Sequence, residues 1–185
     1  ISFDAPPVDF TMLRVQTLAR AYLAAGGDAP RLLVHDAHGG DMIRMAARYG
    51  RGLPADVIPM ELPALAAFGH AEVTAALAAG FASTSLLLSP KADREAIETQ
   101  AALVRAIAGT DRVHLIDTPD PDALSETLYA EATPEAVKSP VRPMGTRRQI
   151  TRQAARALNP DAQSLELPEG APYGAVVVDK SACTL

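Results

Sequence analysis

The chain of 185 residues contains no Trp and one Cys, and its aromatics amount to 4%. So small an aromatic share leaves the core to Ala, Leu, Val and Ile. A single cysteine excludes an internal disulfide framework and fits a reducing cytoplasm. No apolar run approaches the roughly 18–20 residues that span a membrane, so membrane insertion is not expected. No basic segment followed by an apolar one marks a signal peptide. Cations are not in excess either: the net charge is −5, which argues against a general attraction to nucleic acid or anionic lipid. Neither GxGxxG, GxxxxGK nor GxSxG is present, and Cys183 has no histidine near it in the sequence. The motif-borne routes to phosphate binding and nucleophilic catalysis are therefore missing.

What is present is a repeat of elements. Apolar residues make up 48% of a chain long enough for one good-sized core. A helix is predicted from Asp9 to Gly26-Gly27, with Phe10, Leu13, Leu18, Ala21, Tyr22 and Ala25 facing inward. Arg31–Asp36 reads as a buried strand because Leu32, Leu33 and Val34 run without polar alternation. Gly39 and Gly40 would then allow a sharp turn, with Asp41 capping a helix to Tyr49 that buries Met42, Met45, Ala46 and Tyr49. A second strand centres on Val57 and Ile58, where Pro59 makes it short or places it at an edge. Further helices are predicted at His70–Ala79, from the Asp93 cap to Ala108, and at Asp122–Ala130. Further strands fall at Ser83–Ser89 and Val113–Ile116. Such alternation at a spacing near thirty residues is the mark of βαβ units. The expected fold is α/β: a parallel sheet of about four strands in the flavodoxin-like order 2-1-3-4, with helices on both faces. After Ala130 the prolines 134, 140 and 143 mark a linker over 131–172 containing one helix, Thr146–Leu158. A last segment, 173–185, completes the division that begins with an α/β domain over 1–130.

That last segment has a pattern of its own. A β-run, Ala175–Val178, leads through Asp179-Lys-Ser-Ala182 to Cys183. It resembles the opening of a bacterial-type ferredoxin module, where a strand and an Asp precede the first cysteine of a CxxCxxC run. The resemblance implies that Cys183 is the first ligand of a 4Fe-4S cluster, thiolate being a soft, anionic donor to iron. The start at Ile1 and the stop shortly after Cys183 suggest a segment of a longer protein. In the body, Ala55–Pro63, Gly69–Gly80 and the strand after them resemble the delta-subunit domain of methanogen-type hydrogenase and heterodisulfide reductase complexes. That likeness, over about residues 31–120, implies the fold but no 2Fe-2S site. The family's cysteines near the ends of the first and third strands are replaced by His35-Asp-Ala-His38 and Ser89-Pro-Lys91.

Together the resemblances imply a non-catalytic accessory domain of an iron–sulfur electron-transfer protein, with a redox partner or an adjacent ferredoxin module to dock. Arg147, Arg148, Arg152 and Arg156, part of the one basic cluster of an acidic chain, are the candidate docking patch. Nucleic acid is not expected there, because no aromatics interleave with the cations. The alternative is a small-ligand or enzymatic site at the strand ends, using His35, Asp36, His38, Ser89, Lys91 and Asp117. Imidazole and carboxylate suit Zn or Fe(II), but neighbouring strand side chains point apart. The plainer reading has Asp36 or Asp41 capping a helix and His35 bonding locally.

Overall fold

The structure is a computed structural model that describes residues 8–174. The expected β-run Ala175–Val178 and Cys183 lie outside those residues. The chain runs α1 (Val8–Ala24), β1 (Arg31–His35), α2 (Ala37–Tyr49), β2 (Val57–Glu61), α3 (His70–Ala78), β3 (Ser83–Leu87), α4 (Arg94–Ala108), β4 (Val113–Ile116), α5 (Pro121–Ala130) and α6 (Arg147–Leu158). All strand pairings are parallel, in the order β2-β1-β3-β4. This is the expected α/β architecture. The central strands β1 and β3 are buried throughout, whereas the outer strands β2 and β4 are only partly covered.

Two cores cover the sheet. On one face Val15 and Ala19 of α1, Val73 and Leu77 of α3, and Ile97 and Val104 of α4 pack against Leu32, Val34 and Leu86. On the other, Met42 of α2 and Leu124 and Leu128 of α5 pack against Leu33, Val57 and Leu87. Alternate strand residues thus feed opposite cores, which is why the apolar runs are continuous. Helix α3 is buried from Ala71 to Ala78, because α1, α4 and α6 surround it. Its Ala-rich sequence lets those neighbours approach. Ile150 and Ala154 of α6 are almost fully buried, so the helix that follows the proline-rich segment is seated on α3.

Two helix faces differ from the sequence expectation. In α1 the inward residues are Met12, Val15 and Ala19, with Leu18 and Tyr22 half-buried; Phe10 and Leu13 are exposed. Spacings of three and four from Met12 define the stripe, and Phe10 and Leu13 lie off it. In α2 Met45 and Tyr49 are exposed. The stripe is Gly39, Met42, Ile43 and Ala46, at i, i+3, i+4 and i+7. It begins on a glycine, so a search for large apolar residues alone slips off it.

Candidate functional site

In an open α/β sheet the chain reverses its winding between two central strands, and their carboxyl ends frame a crevice. Here those strands are β1 and β3. Asp36 follows β1, and its carboxylate accepts a hydrogen bond from the Gly39 amide at 3.1 Å. Asp36 is therefore the N-cap of α2, which starts at Ala37. The expected turn at Gly39-Gly40 and the cap at Asp41 are corrected by this geometry. Both glycines are buried inside the first turns of the helix, and Asp41 pairs with Arg44 at 2.5 Å. Helix α2 lies so close to the sheet that a Cβ on Gly39 would come within 2.7 Å of the His35 Cβ and 3.0 Å of Leu87 Cδ2.

Burial pushes the Asp36 carboxyl up, but the Ser89 hydroxyl, the Gly39 and His38 amides and the His38 imidazole together hold it below the usual carboxylate range. An Asp with a depressed folded pKa stabilises above its unfolded pKa, and that contribution is lost as pH falls through the folded value. Replacing Asp36 by Ala should cost about 1 kcal/mol near neutrality through loss of the cap. Urea unfolding at a series of pH values checks this: the gap from the parent should close in acid.

The other strand-end candidates separate. His35 is buried, and its Nδ1 donates to the Asp36 carbonyl at 2.9 Å. His38 and Lys91 are exposed. Asp117 is held by Arg94 through two hydrogen bonds of 2.7 and 2.8 Å. Among the described residues no three His, Cys, Asp or Glu side chains are grouped to hold a metal ion. The crevice thus places Asp36 beside Ser89 and His38, and gives Asp36 a capping task that its own sequence position explains.

A second polar constellation lies where α3, α4 and the end of the described chain meet. His70 opens α3. The Gln100 side-chain oxygen accepts from the His70 amide at 3.1 Å and from His70 Nδ1 at 2.6 Å. With the proton on Nδ1, the lone pair of Nε2 accepts from the Tyr173 hydroxyl at 2.7 Å. The two rings meet edge to face. Arg148 of α6 donates to the Gly174 carbonyl at 3.4 Å, and its guanidinium sits 5.8 Å from the Tyr173 ring centroid. Beside them, Glu72 is 2% exposed. It accepts from the Gly69 amide at 3.1 Å and from Arg147 Nε at 2.7 Å. His70, Glu72, Gln100 and Arg147 edge a cavity of about 640 Å³ floored by Phe68, Val73, Ile97 and Val104.

Of the four arginines predicted as a docking patch, Arg147 is engaged by Glu72 and Arg148 holds the Tyr173-Gly174 segment. Arg152 and Arg156 are exposed. The sequence alone singles out none of His70, Gln100 and Tyr173 as a site residue. Positions 70, 100 and 173 share no spacing, and only the fold brings them together.

Fold and site define an α/β domain whose last described residues are pinned to its third and sixth helices. No protein-family model, curated protein or solved structure matches the chain. Among the described residues no helix is long and apolar enough to cross a membrane.

Proposed function

We propose that this chain is the non-catalytic accessory domain of a cytoplasmic 4Fe-4S, ferredoxin-type electron-transfer protein, and that its α/β body fixes the root of the segment carrying Cys183. The observation that carries the reading is the pairing of Tyr173 with His70, reinforced by Arg148 on Gly174. The β-run that resembles a ferredoxin opening begins at the next residue, Ala175. A module attached at that point would start from a fixed position on the body.

The body itself does not fit a cluster. The described residues include no cysteine, and no other metal-holding group is present among them. Cys183 would supply one of the four thiolates such a cluster takes. The others would have to come from outside these 185 residues, which hold one cysteine. When bound, the cluster supplies one-electron transfer; the body supplies position and a surface for a partner.

Two measurements test this. The protein as its gene encodes it, reconstituted anaerobically with iron and sulfide and then reduced, should give the EPR signal of a reduced 4Fe-4S cluster. A colourless, iron-free product would overturn the cluster reading. Tyr173→Phe should cost about 1 kcal/mol, the worth of one hydrogen bond, and should speed amide exchange at residues 173 and 174. Unchanged exchange would show that the hydroxyl does not hold the root.

A further inference from the structure

A groove of about 450 Å³ runs between α6 and the segment over 160–174. Ile107, Ala155, Leu165 and Leu167 form its apolar floor, and Arg148 and Arg152 stand at its rim. Asn159 fixes one end of the segment by donating to the carbonyls of Ile107 at 2.7 Å and Ala155 at 3.0 Å. Tyr173 closes the other end through His70. The wall is thus tied down at both ends.

Arg148, Arg152 and Arg156 recur at i, i+4 and i+8, which places them along one side of α6. None of them takes part in an ion pair among the described residues. Yet the chain as a whole carries a net charge of −5. Three guanidiniums that no carboxylate of the described residues pairs, gathered on one helix of an acidic protein, complement a negatively charged surface. Guanidinium favours carboxylate and phosphate because its planar fork matches their oxygens. The apolar floor between the rim arginines adds a requirement that charge alone does not: the occupant must present an apolar side chain as well.

We propose that this groove docks an acidic segment of a partner protein, with an apolar side chain entering over Leu165 and Leu167 and flanking carboxylates meeting Arg148 and Arg152. That the partner is a redox protein rests on the reading above; the docking of an acidic segment does not. Because Tyr173 forms part of the wall, the partner would lie beside Gly174, the last described residue before the Cys183 segment.

The test uses the 185-residue chain and a synthetic probe peptide, acetyl-Glu-Asp-Leu-Glu-Phe-Asp-Glu-amide. In NMR titrations the peptide should shift the Arg148 and Arg152 side-chain Nε–H signals and the methyls of Leu165 and Leu167. The pair Arg152→Glu and Arg156→Glu should weaken binding about tenfold or more, since charge reversal adds repulsion to the lost attraction. Both side chains are exposed, so the melting temperature should hold. A version of the peptide with Ser in place of Leu and Phe should also bind more weakly. Three outcomes would overturn the proposal. Shifts confined to other surfaces would remove the site. Equal binding of the Ser peptide and heparin would reduce it to a polyanion patch. Self-association of the chain that Arg152→Glu abolishes would assign the groove to a second copy. The EPR experiment is independent, so the cluster reading and the docking site can fail separately.

Discussion

Replacing Arg31 by Ala is expected to cost about 3–5 kcal/mol, the loss typical of a buried charge pair deprived of one partner. Arg31 is 4% exposed at the start of the central strand β1. Its Nε and Nη2 bind the two oxygens of Asp56 at 2.6 and 3.1 Å. Its Nη1 donates to the Leu128 carbonyl at 2.8 Å and reaches Glu131 at 3.4 Å. One side chain thereby joins β1 to the turn before β2 and to the end of α5. Without it Asp56 and Glu131 lose the cation they share. Against a typical total stability of about 5–15 kcal/mol, that loss would remove a large part of the folded population.

The hydrogen bond from Arg31 holds the Asp56 carboxyl below its usual range, more than burial raises it. This contribution is therefore present above the unfolded pKa of Asp and lost as pH falls through the lower, folded value. Urea midpoints measured from neutral to acid pH should show the Arg31→Ala deficit shrinking on acidification. Arg31→Lys should fall between, because it keeps the charge and loses the fork. A neutral-pH deficit under 1 kcal/mol for the Ala variant would show that the network contributes little.

The second large effect is expected at Gly39. In an exposed helix, Gly→Ala stabilises by about 1 kcal/mol. At Gly39 the same change should destabilise by about 1–3 kcal/mol, the usual cost of forcing atoms into a filled space. The added Cβ would meet the Cβ of His35, fixed to the backbone of β1, so α2 would have to lift from the sheet. Gly40 provides the contrast. Its added Cβ would stand 3.3 Å from the Glu61 carboxylate oxygen, the far end of a flexible chain that can turn aside. Gly40→Ala should consequently be close to neutral. Thermal unfolding of the two variants distinguishes the positions, and equal melting temperatures would show that α2 has room to spare.

Gly39 also explains where the sequence was readable and where it was not. The strands themselves, the edge position of the Pro59 strand and the cap at Asp93 follow from local signals: continuous apolar runs, a proline and a helix-capping residue; the strand order follows from the alternation of strands and helices. The start of α2 did not follow, because a Gly-Gly pair after a strand has the local chemistry of a turn. What decides between turn and helix is the distance between α2 and the sheet, which no window of residues contains. The same holds for the site. Asp36 could be named as a possible cap from its place after a strand. The His70–Gln100–Tyr173 chain depends on three segments brought together by the packing of α3, α4 and α6. Nothing in the sequence around Glu72 marks it as buried; α6 supplies its partner Arg147.

The proline at position 59 has a further consequence. Pro59 sits in the middle of β2, paired only with Leu33 on its inner side among the described residues. A strand at the rim of a sheet normally offers amides and carbonyls to any extended chain that drifts past. This one has no amide at its centre, and its neighbours in sequence, Ile58 and Met60, cannot make good the gap in the ladder. During synthesis, when several copies are partly folded side by side, that rim is a poor template for intermolecular pairing, and the protein gains resistance to aggregation on that flank.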